Sequence, residues 1–264
     1  MKKSILYIFI FLAIQFVAQF LVFAVYTMIS GTPVDELPPL WNIAMMVLFS
    51  LATILVFLKM RWFEASRNYL RSRPWDVLFW SAIASLGAIV PSLLLQGFIP
   101  EWTGWAKEIV DQTNAQLEGL MSVSGGYMVI ALLPPVVEEM VFRGCVLKSL
   151  LEWKPQHRWW MIALSALLFS LVHMNPAQMP HAFLIGLLLG WMYMRTGSIV
   201  PGVAYHWANN SAAFVMYAFY PDPDMKLIDL FKGSELHVYM ALGFSLLILL
   251  PAIFQLNLWM RRAE

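Results

Sequence analysis

The sequence predicts an all-α, polytopic membrane protein with about eight transmembrane helices and one interfacial amphipathic helix, and three observations carry that reading. Of its 264 residues, 60% are apolar and only 12% charged, where an ordinary soluble domain carries roughly 25% charged residues. Crossing the hydrocarbon layer takes about 20 apolar residues, and the chain offers eight such stretches separated by short polar segments. Lysine and arginine fall almost wholly on one side of those stretches. Disorder and a soluble enzyme are excluded, and residues 1–264 read as a single integral membrane domain surrounded by the lipid bilayer. A net charge of +1, with no basic face left once the charges are assigned to loops, argues against nucleic acid. The single cysteine, Cys145, excludes a disulfide framework.

In order, the spans are expected at about 4–28, 42–60, 77–97, 126–150, 159–174, 180–194, 198–220 and 238–258. The first follows Met1, Lys2 and Lys3 as a signal peptide would, but its apolar run exceeds the usual core of roughly 7–15 residues and lacks a small-residue cleavage site. It reads as a retained helix. Between spans three and four, segment 98–125 repeats Trp105, Ile109, Thr113, Leu117 and Leu120 at helical spacing with charges between, which predicts an amphipathic helix on the membrane surface. Gly186 and Gly190 in span six form a small-xxx-small pair suited to close helix packing.

With a cytoplasmic N-terminus, the inner segments hold thirteen of the seventeen basic residues. The outer segments hold Lys107, Lys226 and Lys232, and Arg143 lies within a span. Asp35, Glu36, Glu101, Glu108, Asp111, Glu118, Asp222, Asp224, Asp229 and Glu235 fall outside. Both termini are therefore expected in the cytoplasm. Trp41, Trp62, Trp75, Trp102, Trp153, Trp159, Trp160 and Trp259 gather near span ends, at the depth an amphipathic ring prefers.

Ionisable groups at bilayer depth cost at least roughly a few kcal/mol each and are functional candidates by default. Span four holds Pro134, Pro135, Glu138, Glu139 and Arg143. Glu139 and Arg143 stand one turn apart and can pair on one face, whereas Glu138 is rotated from Glu139 by about 100° and cannot share that geometry. An ion pair that only ties helices together explains Glu139 and Arg143 but leaves Glu138 unexplained. Each proline lacks the amide hydrogen that the carbonyls of Ile130 and Ala131 would otherwise accept, which predicts a polar pocket just before the glutamates.

Span five carries Phe169 and His173; span seven carries His206 and Asn210, again one turn apart. Counted at about 1.5 Å per residue from the basic end, Glu138 lies at ~18 Å, His173 at ~21 Å, His206 at ~12 Å and Asn210 at ~18 Å. A lone buried histidine is more often a satisfied core residue, but four polar groups converging from three helices read as a site. A carboxylate and an imidazole on opposite sides of a water can take its proton. A second imidazole and a carboxamide are donors suited to the oxyanion of a tetrahedral intermediate. That set describes amide hydrolysis by activated water. The sequence contains no HExxH zinc motif, no GxSG serine loop and no GxGD aspartyl motif. Cys145 reads as a packing residue, His157 and His237 as loop residues, and His181, at the start of span six, as structural.

The segment Glu138-Glu139-Met140-Val141-Phe142-Arg143 resembles the EExxxR motif of the CAAX proteases and bacteriocin-processing enzymes, the CPBP or Abi family. Phe169 to His173 resembles its FxxxH motif and His206 to Asn210 its HxxxN motif, in the family's order, with a catalytic core at about 126–215. The resemblance implies an eight-helix intramembrane glutamic endopeptidase in which Glu138 and His173 activate water, and His206 and Asn210 hold the oxyanion. Glu139 and Arg143 would support the site and Phe169 would line it. It implies a membrane-associated protein or peptide as substrate and, given the short chain and compact loops, a bacterial inner membrane; no cofactor or metal is expected, because His206 and Asn210 serve naturally as oxyanion donors. Three other readings stand beside it. Two histidines and a glutamate can hold zinc with an open position for water; a scaffold or immunity factor would bind a partner without hydrolysis; a transporter would use the proline-broken helix around an ion site. No second EE or Pro-Pro segment occurs in a corresponding position, which argues against transport.

Overall fold

Within hydrocarbon every backbone N–H and C=O must find a partner inside the protein, and the chain meets this with helices. The computed structural model describes residues 1–31, 37–65, 67–97, 103–222 and 225–261. Asp35, Glu36, Glu101, Trp102, Asp224 and Arg262, used above for charge and tryptophan patterns, lie outside them, as does the beginning of segment 98–125. The described elements are α1 (Lys2–Ser30), α2 (Pro39–Lys59), α3 (Arg67–Arg71), α4 (Trp75–Gly97), α5 (Trp105–Met121), α6 (Leu133–Val141), α7 (Lys148–Trp153), α8 (Arg158–Leu171), α9 (Met179–Thr196), α10 (Val200–Phe219), α11 (Leu227–Leu230) and α12 (Glu235–Trp259). No strand occurs among the described residues. The short α3 and α11 lie in segments read from the sequence only as connections.

Four of these helices, α1, α2, α4 and α12, are long and apolar enough to cross a membrane. Phe20 is 72% exposed and Leu247 71%, so large apolar side chains on α1 and α12 face outward, an arrangement suited to lipid rather than water. The eight expected spans each have a helical counterpart, but the other four are shorter, less apolar or broken. Those are the ones that carry the polar residues. The fourth expected span is not one regular helix: π-helical turns at Met128–Leu132 and Phe142–Leu147 flank α6, and α7 completes it. The prolines account for the first. The carbonyl of Ile130 would bond residue 134 in an α-helix or residue 135 in a π-turn, and both are proline. Leu133 N–H instead reaches the carbonyl of Met128, five residues back.

The helices form two apolar clusters. One gathers Tyr7, Phe11, Phe57, Phe142, Leu147 and Phe169 from α1, α2, the fourth segment and α8. The other gathers Val77, Ala84, Leu189, Tyr205 and Leu256 from α4, α9, α10 and α12. Helix α9 contributes to both. Trp62, expected at the interface, packs against Tyr7 and Phe57 at ring-centroid distances of 5.1 and 5.3 Å. Helix α5 packs against α2 with Leu120 buried, Ile109, Thr113 and Leu117 half-buried, and Trp105 turned outward. The glycine pair in α9 behaves as read: a Cβ on Gly186 would come within 2.9 Å of the Ala166 Cα, and one on Gly190 within 2.7 Å of the Ile162 side chain, both on α8.

Cross-links at one end of the bundle gather the basic segments. Ser4 of α1 hydrogen-bonds Ser149 of α7 at 2.6 Å, the Cys145 thiol donates to the Trp62 carbonyl, and Arg195 at the end of α9 donates to the Asn257 carbonyl of α12 at 2.7 Å. The start of α1 and the end of α12 therefore lie at the same end.

Gly186→Val should drive a side chain into the α8 backbone and lower stability by about 1–3 kcal/mol. Gly243→Ala, on a helix face with nothing within 4 Å of the new methyl group, should be neutral or stabilise by up to about 1 kcal/mol. Thermal denaturation in detergent checks both.

Candidate active site

The centre of the site is a charge pair out of reach of solvent. Arg143 Nη1 donates to Glu139 Oε1 at 2.8 Å, with the two side chains 1% and 0% exposed. Four-residue spacing brings them onto one face even though the helix changes from α to π between them. Arg143 Nη2 donates to the Gly186 carbonyl of α9 at 3.3 Å, and its guanidinium lies 4.3 Å from the Phe169 ring centroid. Phe169 also meets Phe142, His173 and His206 edge-on at 5.2, 4.8 and 6.1 Å. One ring thus fixes the mutual placement of the cation and both imidazoles.

Glu138 is turned away from this pair and is 22% exposed. Its Oε2 lies 3.9 Å from His206 Nε2, too long for a hydrogen bond, and is a buried oxygen with no hydrogen-bond partner. The opposite nitrogen of His206, Nδ1, lies 3.5 Å from Glu139 Oε1. It likewise has no hydrogen-bond partner. Each nitrogen of this imidazole therefore faces a different carboxylate. Buried polar atoms left unsatisfied are rare and call for a ligand or water, so Glu138 Oε2 and His206 mark where a polar group enters.

His173 was expected inside the fifth span, but α8 ends at Leu171 and His173 stands in the turn beyond it. Pro176 follows closely and Asn175 accepts from the Ala177 N–H at 3.0 Å, so the local hydrogen bonding favours a turn over a longer helix. His173 Nδ1 lies 2.8 Å from the Phe169 carbonyl. A carbonyl only accepts, so Nδ1 carries the hydrogen, and in the neutral ring Nε2 keeps a lone pair. Among the described residues His173 forms no ion pair with Glu138.

Asn210 sits one turn beyond His206 on α10, and its Nδ2 donates to the Ile130 carbonyl at 3.0 Å. This is the carbonyl that both prolines deprive of a partner within its own segment, and a side chain from another helix supplies one. The second hydrogen on Nδ2 has no partner among the described residues.

Three contributors were missed in the sequence. Gly202, one turn before His206, faces Glu139: a Cβ there would come within 2.6 Å of Oε2. Its spacing from His206 and Asn210 was the available signal. Ser92 of α4 hydrogen-bonds His181 Nδ1, tying α4 to the start of α9. In the middle of α10, beside His206 and Asn210, the Tyr127 hydroxyl accepts from Trp207 Nε1 at 3.0 Å and bonds Ser211 at 2.9 Å. Among the described residues, no three His, Cys, Asp or Glu side chains converge as a metal-ion site; His206 with the two glutamates is the nearest approach, at separations of 3.5 and 3.9 Å.

An acid, two imidazoles and a carboxamide thus come from the fourth segment, from the turn after α8 and from α10, in a chain with four helices long and apolar enough to cross a membrane. Residues 122–212, about a third of the chain, match the family model described as type II CAAX prenyl endopeptidase Rce1-like. The resemblance read from the EExxxR, FxxxH and HxxxN motifs to the CAAX protease (CPBP) family is thus shown over that segment. No curated protein and no solved structure matches the chain.

Glu139→Gln should strand Arg143 and destabilise the fold by about 3–5 kcal/mol, as breaking a buried pair does. Glu138→Gln should leave the melting temperature in detergent within error of wild type. Gly202→Ala should fall with Glu139→Gln, because the pinned carboxylate cannot move from a new methyl group; a wild-type melting temperature for Gly202→Ala would contradict that packing.

Proposed function

We propose that the protein is an intramembrane glutamic endopeptidase that hydrolyses peptide bonds of membrane-associated proteins or peptides. Glu138 and His173 Nε2 hold and deprotonate a water, which attacks the scissile carbonyl, and the proton passes to the leaving amine as the tetrahedral intermediate collapses. His206 Nε2 and the second Nδ2 hydrogen of Asn210 donate to the oxyanion. Glu139 and Arg143 position His206 and the helix that bears Glu138, and Phe169 sets the spacing of the two imidazoles. The observation that carries this reading is the unpartnered Oε2 of Glu138, which faces His206 Nε2 at 3.9 Å without a hydrogen bond.

In this reading all eight helical segments cross the bilayer, the shorter ones thinning it locally around the site. The basic end faces the cytoplasm of a bacterial cell with both termini. The family match supports the hydrolase class, and Asn210, a poor zinc ligand on the same face as His206, favours oxyanion stabilisation over a zinc site.

The test is turnover of a quenched membrane-peptide library by purified protein. Glu138→Gln should abolish cleavage, since an amide cannot accept the water proton, and Asn210→Ala should lower turnover by roughly 10²–10³. Exhaustive chelation, with metal content followed by elemental analysis, should leave the rate unchanged. Activity lost on chelation and restored by stoichiometric zinc would replace this mechanism with the zinc one, and a fully functional Glu138→Gln in cells would favour the scaffold.

A further inference from the structure

A cavity of about 670 Å³ opens at the basic end of the bundle, away from the glutamates, where α3, α7, the start of α8 and the end of α9 meet. Arg67, Lys148 and Arg158 line it with one acid, Glu152, an excess of two positive charges. Among the described residues none of the three cations forms an ion pair, although Lys148 and Glu152 stand one turn apart. Arg158 Nε donates to the Pro155 carbonyl at 3.3 Å, which anchors the side chain and leaves its terminal amines available. At the end of α9 the Gly197 N–H donates to the Tyr193 carbonyl and the Thr196 hydroxyl to the Met192 carbonyl, both at 2.8 Å.

Two observations point to what enters. Leu151 and Met194 also line the cavity, so the cations stand beside apolar surface, as they would for a group that is charged at one end and greasy at the other. Trp159 and Trp160, next to Arg158, are 64% and 70% exposed, and outward tryptophans mark the headgroup depth of a bilayer. Basic pockets between membrane helices at that depth are suited to anionic lipid headgroups.

We propose that this cavity binds a phosphoryl group at the membrane surface, presented by the headgroup of an anionic phospholipid. It is a site separate from the hydrolytic centre, and it stands whether or not the chain cleaves peptides. The phosphate lies between the guanidinium groups of Arg67 and Arg158 and the Lys148 ammonium, and the first part of an acyl chain rests against Leu151 and Met194.

The experiment measures lipid retained by the full-length protein, extracted from nanodiscs of phosphatidylcholine with or without phosphatidylglycerol, by native mass spectrometry. Wild type should retain phosphatidylglycerol in preference to phosphatidylcholine. Arg67→Gln with Arg158→Gln should weaken retention roughly fivefold per arginine removed, with the melting temperature in phosphatidylcholine unchanged because both side chains are exposed. Lys148→Gln serves as a second, single-site variant and should lose about as much as one arginine. Lys2→Gln with Lys3→Gln removes equal charge outside the cavity and should retain lipid as wild type does. Equal loss in that control would overturn the pocket in favour of diffuse surface attraction, and unchanged retention in the cavity variants would overturn it outright. A parallel arm adds inorganic phosphate to protein in neutral detergent. Stabilisation of wild type but not of the cavity variants by phosphate, without retained lipid, would keep the anion site and overturn its assignment to lipid.

Discussion

The buried pair of Glu139 and Arg143 is the constraint around which the site is built. Two charges removed from solvent are tolerable only if paired, and the surrounding helices hold the pair in place, although Glu139 Oε2 is itself left without a hydrogen-bond partner. The Gly186 carbonyl on α9 accepts from Arg143, the Phe169 ring on α8 covers the guanidinium, and Gly202 on α10 leaves room for the second carboxylate oxygen. Three helices are therefore held to the fourth segment by one ion pair. Glu138, the neighbour in sequence, is rotated off that face and held only by the helix. Two adjacent glutamates are so separated into one that is ion-paired with Arg143 and one whose Oε2 has no hydrogen-bond partner.

A second constraint comes from Pro134 and Pro135. They leave the Ile130 carbonyl with neither an α nor a π partner from its own segment, and Asn210 answers from a helix 80 residues away. The same carboxamide that stitches α10 to the broken segment carries a second hydrogen with no partner among the described residues. Irregular backbone at membrane depth is tolerated where it is buried in protein and its polar groups find partners there. The helices around it are correspondingly short: α8 has 14 residues and α9 has 18, while α1 and α12 on the periphery have 29 and 25.

Much of this was legible in the sequence because the relevant interactions lie within one helix. The Glu139 and Arg143 spacing, the odd rotation of Glu138, the pairing of His206 with Asn210 and the stripped carbonyl of Ile130 all follow from helical periodicity and proline chemistry. What was not legible depends on contacts between helices. Gly202 is informative only once Glu139 of another segment is set against it. The turn that carries His173 was hidden by an apolar run that continues past Leu171. Arg67, Lys148 and Arg158 read as scattered charges at one membrane face, because only tertiary packing brings the starts of three helices around one cavity. The count of crossing helices rested on apolar length alone, and polar site residues dilute that signal in the helices where it matters most.

Central to the account is a water held between Glu138 and His173 as the nucleophile, with no covalent intermediate. Single-turnover cleavage of a membrane peptide in ¹⁸O-labelled water, with hydroxylamine present to intercept any acyl-enzyme, addresses it directly. The account predicts one ¹⁸O in the new carboxyl terminus and no hydroxamate product. A hydroxamate, or a new carboxyl terminus without label, would show that a side chain attacks the peptide first and would contradict the assignment of Glu138 and His173 to an activated water.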